Sequence, residues 1–179
     1  MRHVPSRALA LALAAGLILT GACRQAGSSA DAASSQPPAP AAPDHLKALH
    51  ASDLTKGFRE KGLTCKPPQQ DRDTQHWVCE SQTPLNQNLA EFYGKVPGRI
   101  EYIRVVVTQS GAPKTELIFP LLVFVAGLKY EGADPAAARA WIEKNLEAGG
   151  MTEIGPAKFK ISGNLSRLVF ELKAPGSDW

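Results

Sequence analysis

Between Gln25 and Pro43 the chain contains no Leu, Ile, Val or aromatic residue and only one charge, Asp31. A stretch such as "SSADAASSQPPAPAAP" buries too little apolar surface to offset the entropy of ordering it, so it reads as a disordered tether. As a flexible coil of about 20 residues it would span on the order of 25 Å, and more where prolines stiffen it. The tether divides the chain. Whatever folds must do so within residues 44–179, which suffice for one domain with a real core.

Upstream, Arg2 and Arg7 precede Ala8–Leu19, a run of Ala, Leu, Ile and one Gly. The run has the length of a signal-peptide apolar region and falls short of the roughly 20 apolar residues a membrane span requires. Thr20-Gly21-Ala22 supplies small residues at a cleavage point, and Cys23 follows at once. Leu19-Thr20-Gly21-Ala22-Cys23 resembles the lipobox of bacterial lipoproteins. It departs from the commonest form in placing Leu four residues before the Cys, with Thr20 at the third. The resemblance implies that residues 1–22 are a signal peptide, that Cys23 carries the lipid, and that residues 23–43 link it to the domain. Several acyl chains on one Cys hold firmly where one holds marginally, each buried CH₂ contributing ~0.8 kcal/mol. In diderm lipoproteins an Asp after the lipidated Cys favours the inner membrane. Arg24 therefore implies the outer membrane, with the domain facing the periplasm.

Without Arg2, Arg7, Arg24 and Asp31 the domain carries 17 basic and 16 acidic residues, a net charge of +1. A nucleic-acid partner, which wants a clustered basic face, is not expected. Cys65 and Cys79 remain as an even pair, which an oxidising compartment would join in a disulfide. The sharper alternative is a zinc site of Cys65, His76 and Cys79. It lacks an evident fourth ligand, and in a strand His76 and Cys79 would point to opposite faces, so no metal is expected.

Local patterns outline the elements. Ser52 is suited to cap a helix over residues 52–62 with Leu54 and Phe58 inward and Gly62 at its end. Asp44–Ala51 adds a helical turn or two with Leu46 and Leu49 inward. Strands are predicted near 63–66 and 75–80. Residues 90–109 form a hairpin turning at Val96-Pro97-Gly98-Arg99. In its second arm Ile100, Tyr102 and Val106 share one face and Ile103, Val105 and Val107 the other, and Arg104 leaves the first incompletely covered. The run 117–128 predicts a buried helix with Pro120 near its first turn. A helix capped by Asp134, with Pro135 first and Gly149-Gly150 at its end, turns Ala138, Trp141, Ile142 and Leu146 to one face. A last hairpin turns at Gly163-Asn164. The order helix, strands, two helices, strands predicts an α+β fold: an antiparallel sheet with helices packed on one face. No repeat is evident at a fixed period. The ordering resembles that of uncharacterised bacterial envelope proteins and carries no known activity with it.

Catalytic motifs and cofactor-binding loops are missing from the sequence. Three acid or base pairs are worth placing: His50 with Asp53, Asp71 with Asp73, and Glu80 with Glu101. Each reads more simply as surface charge, so catalytic residues and cofactors are not expected. The expectation is a non-catalytic binding or assembly module that meets the membrane through its lipid and a protein partner in the envelope. The exposed stretch Lys66–Thr74, pinned at its base by the disulfide, is the candidate contact. The alternative is a carrier holding an apolar ligand between sheet and helices, with residues 117–128 lining the space.

Overall fold

The structure is a computed structural model that describes residues 44–176. Cys23 and the segments on either side of it lie outside the described residues. The elements run α1 (Ala51–Glu60), β1 (Thr64–Cys65), β2 (Gln69–Asp71), β3 (Thr74–Gln82), β4 (Asn86–Gly94), β5 (Ile100–Gln109), α2 (Thr115–Ala126), α3 (Pro135–Asn145), β6 (Gly150–Ile154), β7 (Ala157–Asn164) and β8 (Arg167–Lys173). The strands form one antiparallel sheet in the order β1-β3-β4-β5-β8-β7-β6, with β2 also on β3. The fold is α+β, as the order of patterns predicts. The sequence has no repeat at a fixed period, yet the topology repeats. A helix followed by a three-stranded meander occurs as α1 with β3–β5 and again as α3 with β6–β8. The two meanders meet where β5 pairs with β8.

Alternation builds the core. One set of cross-strand partners runs Trp77, Phe92, Ile103, Leu172, Phe159 and the next Cys79, Ala90, Val105, Phe170, Ile161. All ten are buried. They pack with Leu54 and Phe58 of α1, Ile118, Leu122 and Val125 of α2, and Ala138 and Ile142 of α3. The intervening residues form the opposite face of the sheet. One solvated face is common in antiparallel sheets.

Several local expectations need correction. The helix start is set not by Ser52 but by His50, whose backbone is extended and makes no side-chain cap. The reason is tertiary: Ala51 N donates to the Pro97 carbonyl at 2.7 Å. That contact satisfies one of the N–H groups that the first turn of a helix leaves without an intrahelical partner. The preceding residues are not helical but follow the β4–β5 turn, with Leu46 N donating to Ile100 O at 2.7 Å and Ala48 at φ +66°. Leu46 and Leu49 are buried as expected.

In β5, a register shift at Tyr93/Gly94 sets Gly94 against Ile100. Ile100 consequently joins the core with Ile103 instead of sharing the face of Tyr102 and Val106. Gly94 is required there, since a Cβ would fall 2.1 Å from the Arg99 carbonyl oxygen. Pro120 lies in the second turn of α2, where it has no N–H to give the Glu116 carbonyl. The last hairpin turns at Leu165-Ser166, because Asn164 pairs with Arg167. Asn164 Oδ1 closes that turn by accepting from the Ser166 and Arg167 N–H groups at 3.0 and 3.1 Å. The short edge strand β6 has too little alternation to be read from the sequence.

The cap of α3 is as predicted, with Asp134 Oδ1 accepting from Ala137 N at 3.0 Å and Pro135 first. No helix among the described residues is long and apolar enough to cross a membrane.

Candidate functional site

Two surfaces stand out. The first is the uncovered face of the sheet. Register aligns His76, Tyr93, Tyr102, Lys173, Lys158 and Glu153 across six strands, and Val78, Glu91, Arg104, Glu171, Lys160 and Met151 beside them. The rings stack on one another: His76 on Tyr93 with centroids 4.3 Å apart, Tyr93 on Tyr102 at 5.5 Å. The Lys173 ammonium lies 5.2 Å from the Tyr102 centroid.

Below the rings, Glu91 lies 3.4 Å from Arg104 and 3.5 Å from His76 Nε2, the latter without hydrogen-bond geometry. Glu171 accepts from the Tyr102 hydroxyl and pairs with Lys160 at 3.5 Å. Burial first, and then the Glu171 carboxylate, raises the Tyr102 phenol far above its ordinary value; burial and Glu91 raise Tyr93 as well. Both phenols stay protonated and serve as donors. The faces between these rings are occupied by one another. The arrangement makes a firm polar surface and supplies no activated nucleophile.

The second surface is the β3 edge. Cys65 and Cys79 form a disulfide between register partners of β1 and β3. Pro67 and Pro68 cannot donate to a ladder, and pairing resumes beyond them. There Gln69, Gln70 and Asp71 pair with His76, Gln75 and Thr74. The stretch Lys66–Thr74, expected as an exposed loop, is thus largely a small exposed hairpin with Arg72 at φ +53° at its tip. Gln70 Nε2 donates to Arg72 O at 2.6 Å across that tip. Behind it lies a cleft of about 360 Å³ lined by Arg59, Cys65, Lys66, Pro67, Trp77 and Pro97, among others. Lys66 pairs with Glu80 at 2.8 Å on the exposed side.

The candidate acid and base pairs are not assembled. Asp53 meets His50 only through backbone, N to O at 3.0 Å, while the His50 imidazole lies over Gly98. Asp71 and Asp73 flank the exposed hairpin tip. Glu80 pairs with Lys66, Glu101 lies 3.9 Å from Lys95, and β4 separates their strands. Both sulfurs of the zinc alternative are in the disulfide, and among the described residues no group of three His, Cys, Asp or Glu is placed to hold a metal. Between the sheet and the helices, Ile118, Leu122, Phe92 and Phe170 are all fully buried.

Asp44, at the start of the described residues, is the most strongly perturbed acid. Its contacts with His45 Nδ1 at 2.9 Å and with Arg99 at 2.7 and 2.8 Å hold it well below the usual carboxylate range, and Lys95 at 3.3 Å adds to this. The cluster ties the beginning of the fold to the β4–β5 turn.

Sequence reasoning marked the open face only through Arg104, because register decides which side chains become neighbours. No protein-family model, curated protein or solved structure matches this chain.

Proposed function

We propose that the chain is an envelope lipoprotein, held through a lipid on Cys23 at the outer membrane, whose folded part binds another envelope component in the periplasm without converting it. The contact surface in this reading is the β3 edge, comprising the Gln69–Asp71 hairpin and the cleft behind it. The observation that supports it is the double fastening of an exposed segment, by the Cys65–Cys79 disulfide at its base and by the β2–β3 ladder along its length. Preorganisation of this kind lowers the ordering cost of binding. A tether raises the effective concentration of such a site near the membrane without any new contact.

A photo-crosslinking residue at Gln70, introduced into the native membrane, should give a discrete adduct. The same residue at Ser166, in the exposed β7–β8 turn, should not. Exchanging Arg59 and Lys66 for Glu should diminish the Gln70 adduct while the chain keeps its fold. Identical adducts from both positions, or an adduct indifferent to the exchange, would reject the edge as the contact.

A further inference from the structure

A cleft of about 570 Å³ lies between the first turns of α2 and the last turn of α3. Its volume falls within the range of about 300–1,000 Å³ of ligand-binding pockets. Phe119 and Leu146 line it with apolar surface, and Glu116, Glu143 and Glu147 stand around it beside Lys144. Leu117, on the same first turn of α2, is 40% exposed.

Arg139 adds little free positive charge here. Its guanidinium donates to Glu143 Oε1 at 3.0 Å and lies 5.8 Å from the Phe119 centroid. Glu116 and Glu147 have no ion-pair partner among the described residues. Glu147 also follows directly on Leu146, the C-cap of α3. A carboxylate at that end meets the negative pole of the helix, which costs stability, and Lys144 in the last turn of α3 offsets it in part. A cation brought by a partner would offset the remainder.

We propose that this cleft docks a short cationic, partly apolar segment of a partner protein. Lys or Arg side chains of the segment meet Glu116 and Glu147, and an apolar side chain between them covers Phe119 and Leu146. Charge complementarity selects the sign of the partner, and the apolar lining selects an amphipathic segment over a merely basic one. The site is separate from the β3 edge and does not depend on it.

The test uses the full chain and three labelled octapeptides followed by fluorescence anisotropy: alternating Lys and Leu, alternating Lys and Ser, and alternating Glu and Leu. The Lys–Leu peptide should bind, and the other two should bind more weakly by roughly tenfold or more, about 1.4 kcal/mol. The double substitution Glu116→Gln with Glu147→Gln keeps the Arg139–Glu143 pair and should weaken the Lys–Leu peptide by a similar factor, with an unchanged circular dichroism spectrum. Equal binding of the Lys–Ser peptide would reveal bare charge attraction and overturn the proposal. So would affinity unchanged by the substitutions, or no binding in the millimolar range. Self-association of the chain abolished by the same substitutions would assign the cleft to a second copy and overturn it too.

Discussion

At the scale of single residues, Asp44 shows how a surface carboxylate links the fold to pH. Its folded-state value lies far below the ordinary 3.8 because His45 and Arg99 hold the ionised form. A carboxylate depressed on folding contributes stability above its unfolded value and loses it as the pH falls below that value. The expected outcome is that Asp44→Asn lowers the urea midpoint at pH 6, and that the gap from the unsubstituted chain narrows as the pH is taken below 3.8. A gap that stays constant down to pH 2 would show that the cluster does not act through ionisation. The residue itself was visible in the sequence as the first charge after the tether. Its partners Lys95 and Arg99 were not, because they lie some 50 positions away and only the β4–β5 turn brings them near.

At the scale of elements, the helix pattern was legible because the periodicity of α1 and α3 is local. Leu54 with Phe58, and Ala138 with Ile142, bury the faces their spacing predicts. What periodicity does not contain is how closely two helices approach. Gly57 of α1 faces α2, where the Phe124 ring occupies the space a Cβ would take, 2.1 Å from its position. The same ring stands edge-on to Phe58 with centroids 5.1 Å apart. Ala is the better helix former by about 1 kcal/mol, but overpacking costs about 1–3 kcal/mol. Gly57→Ala should therefore lower the stability measured by urea unfolding, and Gly57→Ala with Phe124→Leu should recover part of the loss. An Ala variant more stable than the parent would mean that the Phe124 ring swings aside freely. The disulfide belongs to this scale as well. Its partners were legible by count alone, whereas the hairpin it supports was not, because "QQD" has no apolar alternation and becomes a strand only by pairing with β3.

For the whole molecule, the proposed arrangement is a folded α+β body on a leash. If Cys23 carries the lipid, Cys23→Ala should leave the precursor uncut and move any mature product out of the membrane fraction. The N-terminal peptide of the unsubstituted protein should begin at Cys23 with added acyl mass. A soluble protein with an unmodified Cys23 would end the anchor reading and leave the folded part untouched. In the proposed reading, function at this scale rests on two surfaces, the disulfide-fastened edge and the cleft between α2 and α3.

The α+β class, the order of the three helices and the longer strands, the cap at Asp134 and the pairing of Cys65 with Cys79 were all determined within the sequence. Each depends on spacing, composition or residues a few positions apart. Only the tertiary structure decided that Ile100 turns inward, that α1 starts against Pro97, that the last turn falls at Leu165-Ser166, and that His76, Tyr93 and Tyr102 form one stack. These depend on register and on contacts between distant segments. A shift of one residue reverses the face of every side chain that follows it, and the free energy that selects one register over another is shared among strands that no local window contains.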